Sequence, residues 1–251
     1  MADQALLNAL IELADDHNIL SHRLAEWCGH APILEEDLAL TNMALDMIGT
    51  ARGLYSHAAD VEGRGRSEDD LAYLRVEREY RNCLLVERPN DDFAHTMLRQ
   101  LFFAAFMEPY WQSALTSSDE TIRGIAGKSV KEVAYHIRHA GEWVIRMGDG
   151  TQESAARLHA AMQDLHIYTE ELFHASEAAG HCARAGLLPD RTDLRETWLE
   201  TLTPIFAEAR LEMPEGVPPQ IGGRDGLHGE DLGHLLAEMQ YLQRAHPGAS
   251  W

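Results

Sequence analysis

Positive charge is scarce in this sequence. Against 41 Asp and Glu stand only 21 Lys and Arg, a formal net charge of −20. Nucleic acids and anionic membrane surfaces both require a basic face, so neither is an expected partner. Cysteine is nearly missing too. Cys28, Cys83 and Cys182 lie far apart, with no CxxC among them. An odd, sparse set argues against a disulfide framework and for reduced thiols, which makes the cytoplasm the expected compartment. No apolar run approaches the roughly 18 residues of a membrane span. The opening stretch MADQALLNALIELADD has no basic n-region, so no signal peptide is expected.

The common catalytic motifs are absent as well. GKS at 127–129 ends like a phosphate loop, but Ile122 occupies the position of its first glycine. No strand leads into it, so nothing shapes a phosphate cradle. Gly148 and Gly150 lack the third glycine of a dinucleotide fingerprint and read as a helix stop. There is no GxSxG elbow and no HExxH. Cys28 has His30 nearby, yet nothing around it would lower the thiol pKa.

What the chain has is helical periodicity. Residues 119–148 carry an inward stripe of Ile122, Ala126, Ser129, Val133, His136, Ala140, Val144 and Met147. A first helix over about 3–28 has a seam of Leu6, Leu10, Leu13, His17, Leu20, Leu24 and Trp27. A second, over 34–62, lines one face with Ala39, Met43, Met47, Thr50, Leu54, Ala58 and Val61. Ser67 and Asp70 form a capping box that opens a shorter helix to about residue 83. An aromatic-rich helix over 92–116 contains Pro109, which should kink it, and a capping box from Ser117 to Glu120 opens the central helix. Further helices are expected over about 152–177, 192–211 and 229–245, the last two separated by a Pro- and Gly-rich stretch at 214–223. Two helix pairs joined by a long connection at 63–91 give the expected architecture. It is a single all-α domain, residues 1–251, a ferritin-like four-helix bundle with a long crossover and extra C-terminal helices.

Ferritin-like di-iron bundles take one Glu from each of two helices and Glu-x-x-His from each of two others. In the second helix the core-facing pair at that spacing is Met47 and Thr50; in the central helix it is Val133 and His136. Three of these four positions cannot ligate iron well, so they form a degenerate set. Asp46 and Glu132 sit one residue earlier, about 100° round the helix. They are the candidates for a shifted site around His136. The plain reading of His17 and His136 is a pair of buried, hydrogen-bonded core histidines.

Four stretches carry a resemblance: RLAEWCGHAPILEEDLALTNMALDMIGTARGLY, LLVERPNDDFA, KSVKEVAYHIRHAGEWVIRMGDGT and GGRDGLHGEDLGHLLAEMQYLQRAHPG. Each closely resembles the structural C subunits of bacterial ring-1,2-phenylacetyl-CoA epoxidases, and the likeness runs end to end. It implies a ferritin-like fold and a non-catalytic subunit that binds and supports a catalytic di-iron A subunit. It also implies a reductase, with FAD and an iron–sulfur centre, that delivers electrons from NADPH. No catalytic, cofactor or metal residue is carried over to this chain. The partners implied are the A subunit, a second copy of this chain as a homodimer, and the reductase indirectly. The aromatic third helix and the C-terminal LAEMQYLQRAHPGASW are the candidate contact surfaces. The alternatives are an active metalloenzyme using Glu26, Asp46, Glu132 and His136, or a helical protein that binds a CoA ester.

Overall fold

The computed structural model describes residues 2–249. Among the described residues it contains eleven α-helices, several 3-10 turns and no strand. The all-α, ferritin-like fold follows the expected order of a helical hairpin, a long connection and a second hairpin. The chain divides into two compact units.

Unit 1 comprises Met1–Pro89, Ser176–Cys182 and Gly222–Trp251. Its hairpin is α1, Ala2–Ala25, against α2, Leu34–Glu62. The expected seam of α1 is buried from Leu6 to Leu24, whereas Trp27 falls in the turn that follows the helix and is half-buried. Gly63 ends α2 in a left-handed conformation, its N–H donating to the Ala59 carbonyl. The Ser67–Asp70 capping box is present and opens α3, Glu68–Tyr73. Contrary to expectation, that helix stops at Tyr73. A 3-10 turn at Glu77–Glu79 and the short α4, Leu84–Glu87, follow instead. The side chains of Arg75 and Tyr80 turn into the interior here, which a continuous surface helix would not allow.

Unit 2 comprises Asn90–Ala175 and Ala183–Ile221. Its hairpin is α5, Phe93–Ala114, against α6, Glu120–Gly148. All eight residues of the expected α6 stripe are buried. The cap of α6 differs from expectation. Asp119 accepts from the Ile122 N–H, while Ser117 Oγ donates to the Leu187 carbonyl. α5 runs through Pro109 without interruption. Against it pack α7, Gln152–Leu165, and α9, Arg195–Ala209. The expected helix over 152–177 ends at Leu165 and continues as a 3-10 turn to Phe173. Periodicity did not predict the short α8, Glu177–Arg184, as a helix of its own. In unit 1, the last expected helix is two pieces, α10, Glu230–Met239, and α11, Tyr241–Ala245, broken at Gln240. Its side-chain amide is drawn inward to the Arg75 carbonyl and the Tyr80 hydroxyl, 2.9 Å from each.

Aromatic packing fills the interior of unit 2. Phe102, Phe103, Phe106, Tyr110 and Trp111 are all buried, so this helix is core rather than contact surface. Phe173 and Trp198 lie 5.3 Å apart between ring centroids, and Phe106 meets Phe173 edge-on at 5.4 Å. Trp198 donates its indole N–H to the Phe102 carbonyl at 3.0 Å.

Candidate functional site

The ligand positions lie on the buried faces of α2 and α6. Met47, Thr50, Val133 and His136 are all buried. They present a thioether, a hydroxyl, two methyls and one imidazole. Neither helix's pair supplies a carboxylate, and a pair of irons needs bridging carboxylates. Glu26 lies beyond the end of α1, exposed, with its carboxylate 2.7 Å from Arg23. Asp46 stands twelve residues into α2, about 18 Å along its axis from the helix start, so the hairpin does not bring Glu26 and Asp46 to one level. Glu132 is half-buried and paired with Lys128 at 3.1 Å. His17 is a core histidine whose Nδ1 lies 2.8 Å from the Leu13 carbonyl. Among the described residues, no three His, Cys, Asp or Glu side chains gather as a metal cluster.

Where unit 1 concentrates its chemistry is a buried lattice of ion pairs on the other faces of α1. Asp15 and Asp16 are adjacent in sequence and both are buried. Asp15 meets the guanidinium of Arg75, accepts from the Tyr55 hydroxyl, and accepts from the Arg81 N–H at 2.7 Å. Asp16 takes two parallel bonds from Arg224, at 2.9 and 2.7 Å, and a third from the Cys83 N–H at 2.7 Å. Burial alone would lower the pKa of each arginine, but the facing carboxylates raise both above the usual arginine value. These paired charges fix the connecting segment and the C-terminal segment to α1.

The sequence GGRDGLHG delivers the second half of this lattice. Gly223 approaches so closely that an added Cβ would sit 2.1 Å from the Asn82 carbonyl oxygen. Gly226 adopts φ +77°, and a Cβ there would sit 2.5 Å from the Arg78 carbonyl oxygen. Between them Arg224 reaches Asp16, and beyond them His228 reaches Glu87. The His228 Nδ1 lies 2.7 Å from the Glu87 carboxylate, and its Nε2 3.1 Å from the Tyr80 carbonyl. Both neighbours are acceptors, so the doubly protonated ring satisfies both. Burial pulls the His228 pKa down, yet the hydrogen bond and charge of Glu87 outweigh it and raise the value. A similar arrangement occurs in unit 2, where His95 lies between Asp92 at 2.8 Å and Asp164 at 3.2 Å, and its pKa is again raised against the opposing effect of burial.

Helical periodicity does not reveal these residues. The signal is present as two adjacent acids, Asp15 and Asp16, between the leucine-rich turns of α1, and as four glycines clustered around Arg224 and His228. Nothing in the pattern of either stretch indicates which acid pairs with which base.

The whole chain, residues 1–251, matches the family described as "Phenylacetic acid catabolic protein". The chain is also 43% identical over 241 residues to the C subunit of the 1,2-phenylacetyl-CoA epoxidase of Escherichia coli (strain K12), covering 96% of this chain and 97% of that relative. With the family matched from end to end and the relative covered almost completely, the chain belongs to the phenylacetic acid catabolic protein family.

Proposed function

We propose that this chain is the non-catalytic structural subunit of a multicomponent di-iron monooxygenase, one that epoxidises the ring of phenylacetyl-CoA in phenylacetate degradation. One observation carries the reading: the bundle pattern is intact, but Met47, Thr50 and Val133 leave it without carboxylates where a di-iron protein needs them. No metal ligand is assigned to Glu26, Asp46, Glu132 or His136. The likeness to an epoxidase subunit supports the same role. In this reading residues 1–251 act as one ferritin-like domain in the cytoplasm. The chain binds the catalytic di-iron subunit directly. The reductase, with its FAD, iron–sulfur centre and NADPH, acts through that subunit.

Metal analysis tests the proposal. The purified chain should carry no stoichiometric iron. Co-purified with its catalytic partner, the complex should carry about two irons per catalytic subunit. Stoichiometric iron in the lone chain, lost on His136→Ala, would overturn the reading in favour of the shifted ligand set.

A further inference from the structure

α2 is apolar on two opposite faces. One face, from Leu40 through Met43, Met47 and Leu54 to Ala58, is buried in the fold. The other carries Leu34, Leu38, Leu45 and Ile48, with Thr41 completing steps of 4, 3, 4 and 3. That spacing is the seam of a helix–helix contact. Yet Leu34 is 71%, Leu38 57% and Leu45 61% exposed, and Ile33 beside them is 50% exposed. The stripe runs about 21 Å along the helix axis from Leu34 to Ile48.

The second hairpin provides an internal control. α6 has the same length, 29 residues, and follows α5 as α2 follows α1. Its outer face presents Lys128, Lys131, Arg138, Glu142 and Arg146, and it exposes no large hydrophobic side chain. A solvated helix of this fold therefore reads as α6 does. The outer face of α2 reads as an interface, because contiguous exposed apolar surface of this kind marks an interaction site.

The charges beside the stripe identify its occupant. Glu35, Asp37 and Asp46 border it, and the first basic side chain along α2 is Arg52, which is paired with Glu68 at 3.2 Å. A second copy of the chain would bring like charges together. Antiparallel self-pairing centred on Thr41 sets Asp46 against the Glu35–Asp37 turn of the other copy. We propose that the Leu34–Leu38–Leu45 face of α2 docks an apolar helical surface edged by Lys and Arg on a different polypeptide. Resting on the function proposed above, that polypeptide is the catalytic di-iron subunit. The apolar stripe forms the centre of the contact, and the acidic border sets its register and partner choice.

The test measures binding of the full chain to the purified di-iron subunit. Leu38→Arg/Leu45→Arg should weaken binding at least about 30-fold, as loss of an interface centre does. Leu38→Gln/Leu45→Gln, which adds no charge, should weaken it less but in the same direction. Leu199→Arg, at an exposed leucine of α9, should bind like wild type. Glu35→Lys should weaken the complex and flatten its salt dependence. All these side chains are exposed, so unchanged melting curves should accompany the losses. Wild-type affinity in the double Arg variant overturns the docking face while leaving the complex intact. A wild-type chain that fails to bind the di-iron subunit overturns the complex and the face together. A homodimer that Leu38→Arg/Leu45→Arg dissolves, and Glu35→Lys strengthens, assigns the face to a second copy and overturns the proposal.

Discussion

α1 is buried on every side from Glu12 to Ser21, and α5 from Ala94 to Met107. In α1 the faces that the hairpin does not use carry Asp15 and Asp16, which meet Arg75 and Arg224. In α5 the buried length carries Phe102, Phe103 and Phe106; Phe102 and Phe106 meet Phe173, Trp198 and Phe206. Unit 2 does bury charged groups, Arg99, Glu171 and Arg191 among them, but rings dominate its interior. The chemistry differs in what it specifies. Rings pack with many partners, whereas a bidentate Arg–carboxylate pair admits one geometry. Unit 1 has to gather three separate pieces of chain, and its pairs join α1 to the connecting segment and to the segment after Gly222. In unit 2 the apolar faces of α5, α6, α7 and α9 pack directly.

The largest effect should come from breaking a pair in unit 1. Arg224→Met leaves the Asp16 carboxylate buried without its counter-charge, at a cost of about 3–5 kcal/mol. Asp16→Asn added to Arg224→Met removes the stranded charge and keeps an acceptor for the Cys83 N–H. Denaturant unfolding should then show the double variant recovering part of the loss. A double variant as unstable as the single would mean that the pair acts through packing rather than charge.

Second in size is the Glu87–His228 contact, and it depends on pH. The His228 pKa is raised in the folded state. Its contribution is therefore fully present below the unfolded histidine value near 6.5 and is lost as pH rises through the folded value. At pH 6, His228→Gln should cost about 1.5–3 kcal/mol, the worth of a hydrogen bond to a charged group. The gap between wild type and variant should narrow as pH climbs above 6.5. A gap independent of pH would show the ring to be neutral throughout. The aromatic core offers the contrasting case. Trp198→Phe removes the bond to the Phe102 carbonyl and part of the ring contact, about 1–2 kcal/mol, with no dependence on pH.

The same contrast explains what could be read from the sequence. The stripe of α6 was legible residue by residue because one face is apolar and the other charged, so periodicity alone defines it. The bounds of α2 were legible from its acidic start and from Gly63. The connection after residue 67 was not. Its sequence looks amphipathic, and only the burial of Arg75 against Asp15, sixty residues earlier, ends the helix. Likewise, the seam assigned to α1 was right from Leu6 to Leu24, but the acids on its other faces are satisfied by partners from distant segments. Local pattern carries no such information. The exposed leucines of α2 escaped for the opposite reason: a second apolar stripe looks like more core until the structure shows it facing outward.

The smallest predicted effect has the opposite sign, and Gln100 supplies it. It lies in the buried length of α5 with no solvent exposure, and both polar atoms of its side-chain amide are buried without a hydrogen-bond partner among the described residues. In unit 1 the buried acids Asp15, Asp16 and Glu87 all meet a donor, so truncating the donor leaves a charge stranded. At Gln100 the desolvation of an amide has already been incurred with no bond to offset it. Gln100→Met keeps the length and flexibility of the side chain and removes the polar atoms. It should stabilise the protein by about 1 kcal/mol, visible as a higher denaturant midpoint at unchanged slope. A destabilised Gln100→Met protein would show that the amide is held by bonds made in solution, and that the interior of unit 2 depends on a polar contact as unit 1 does.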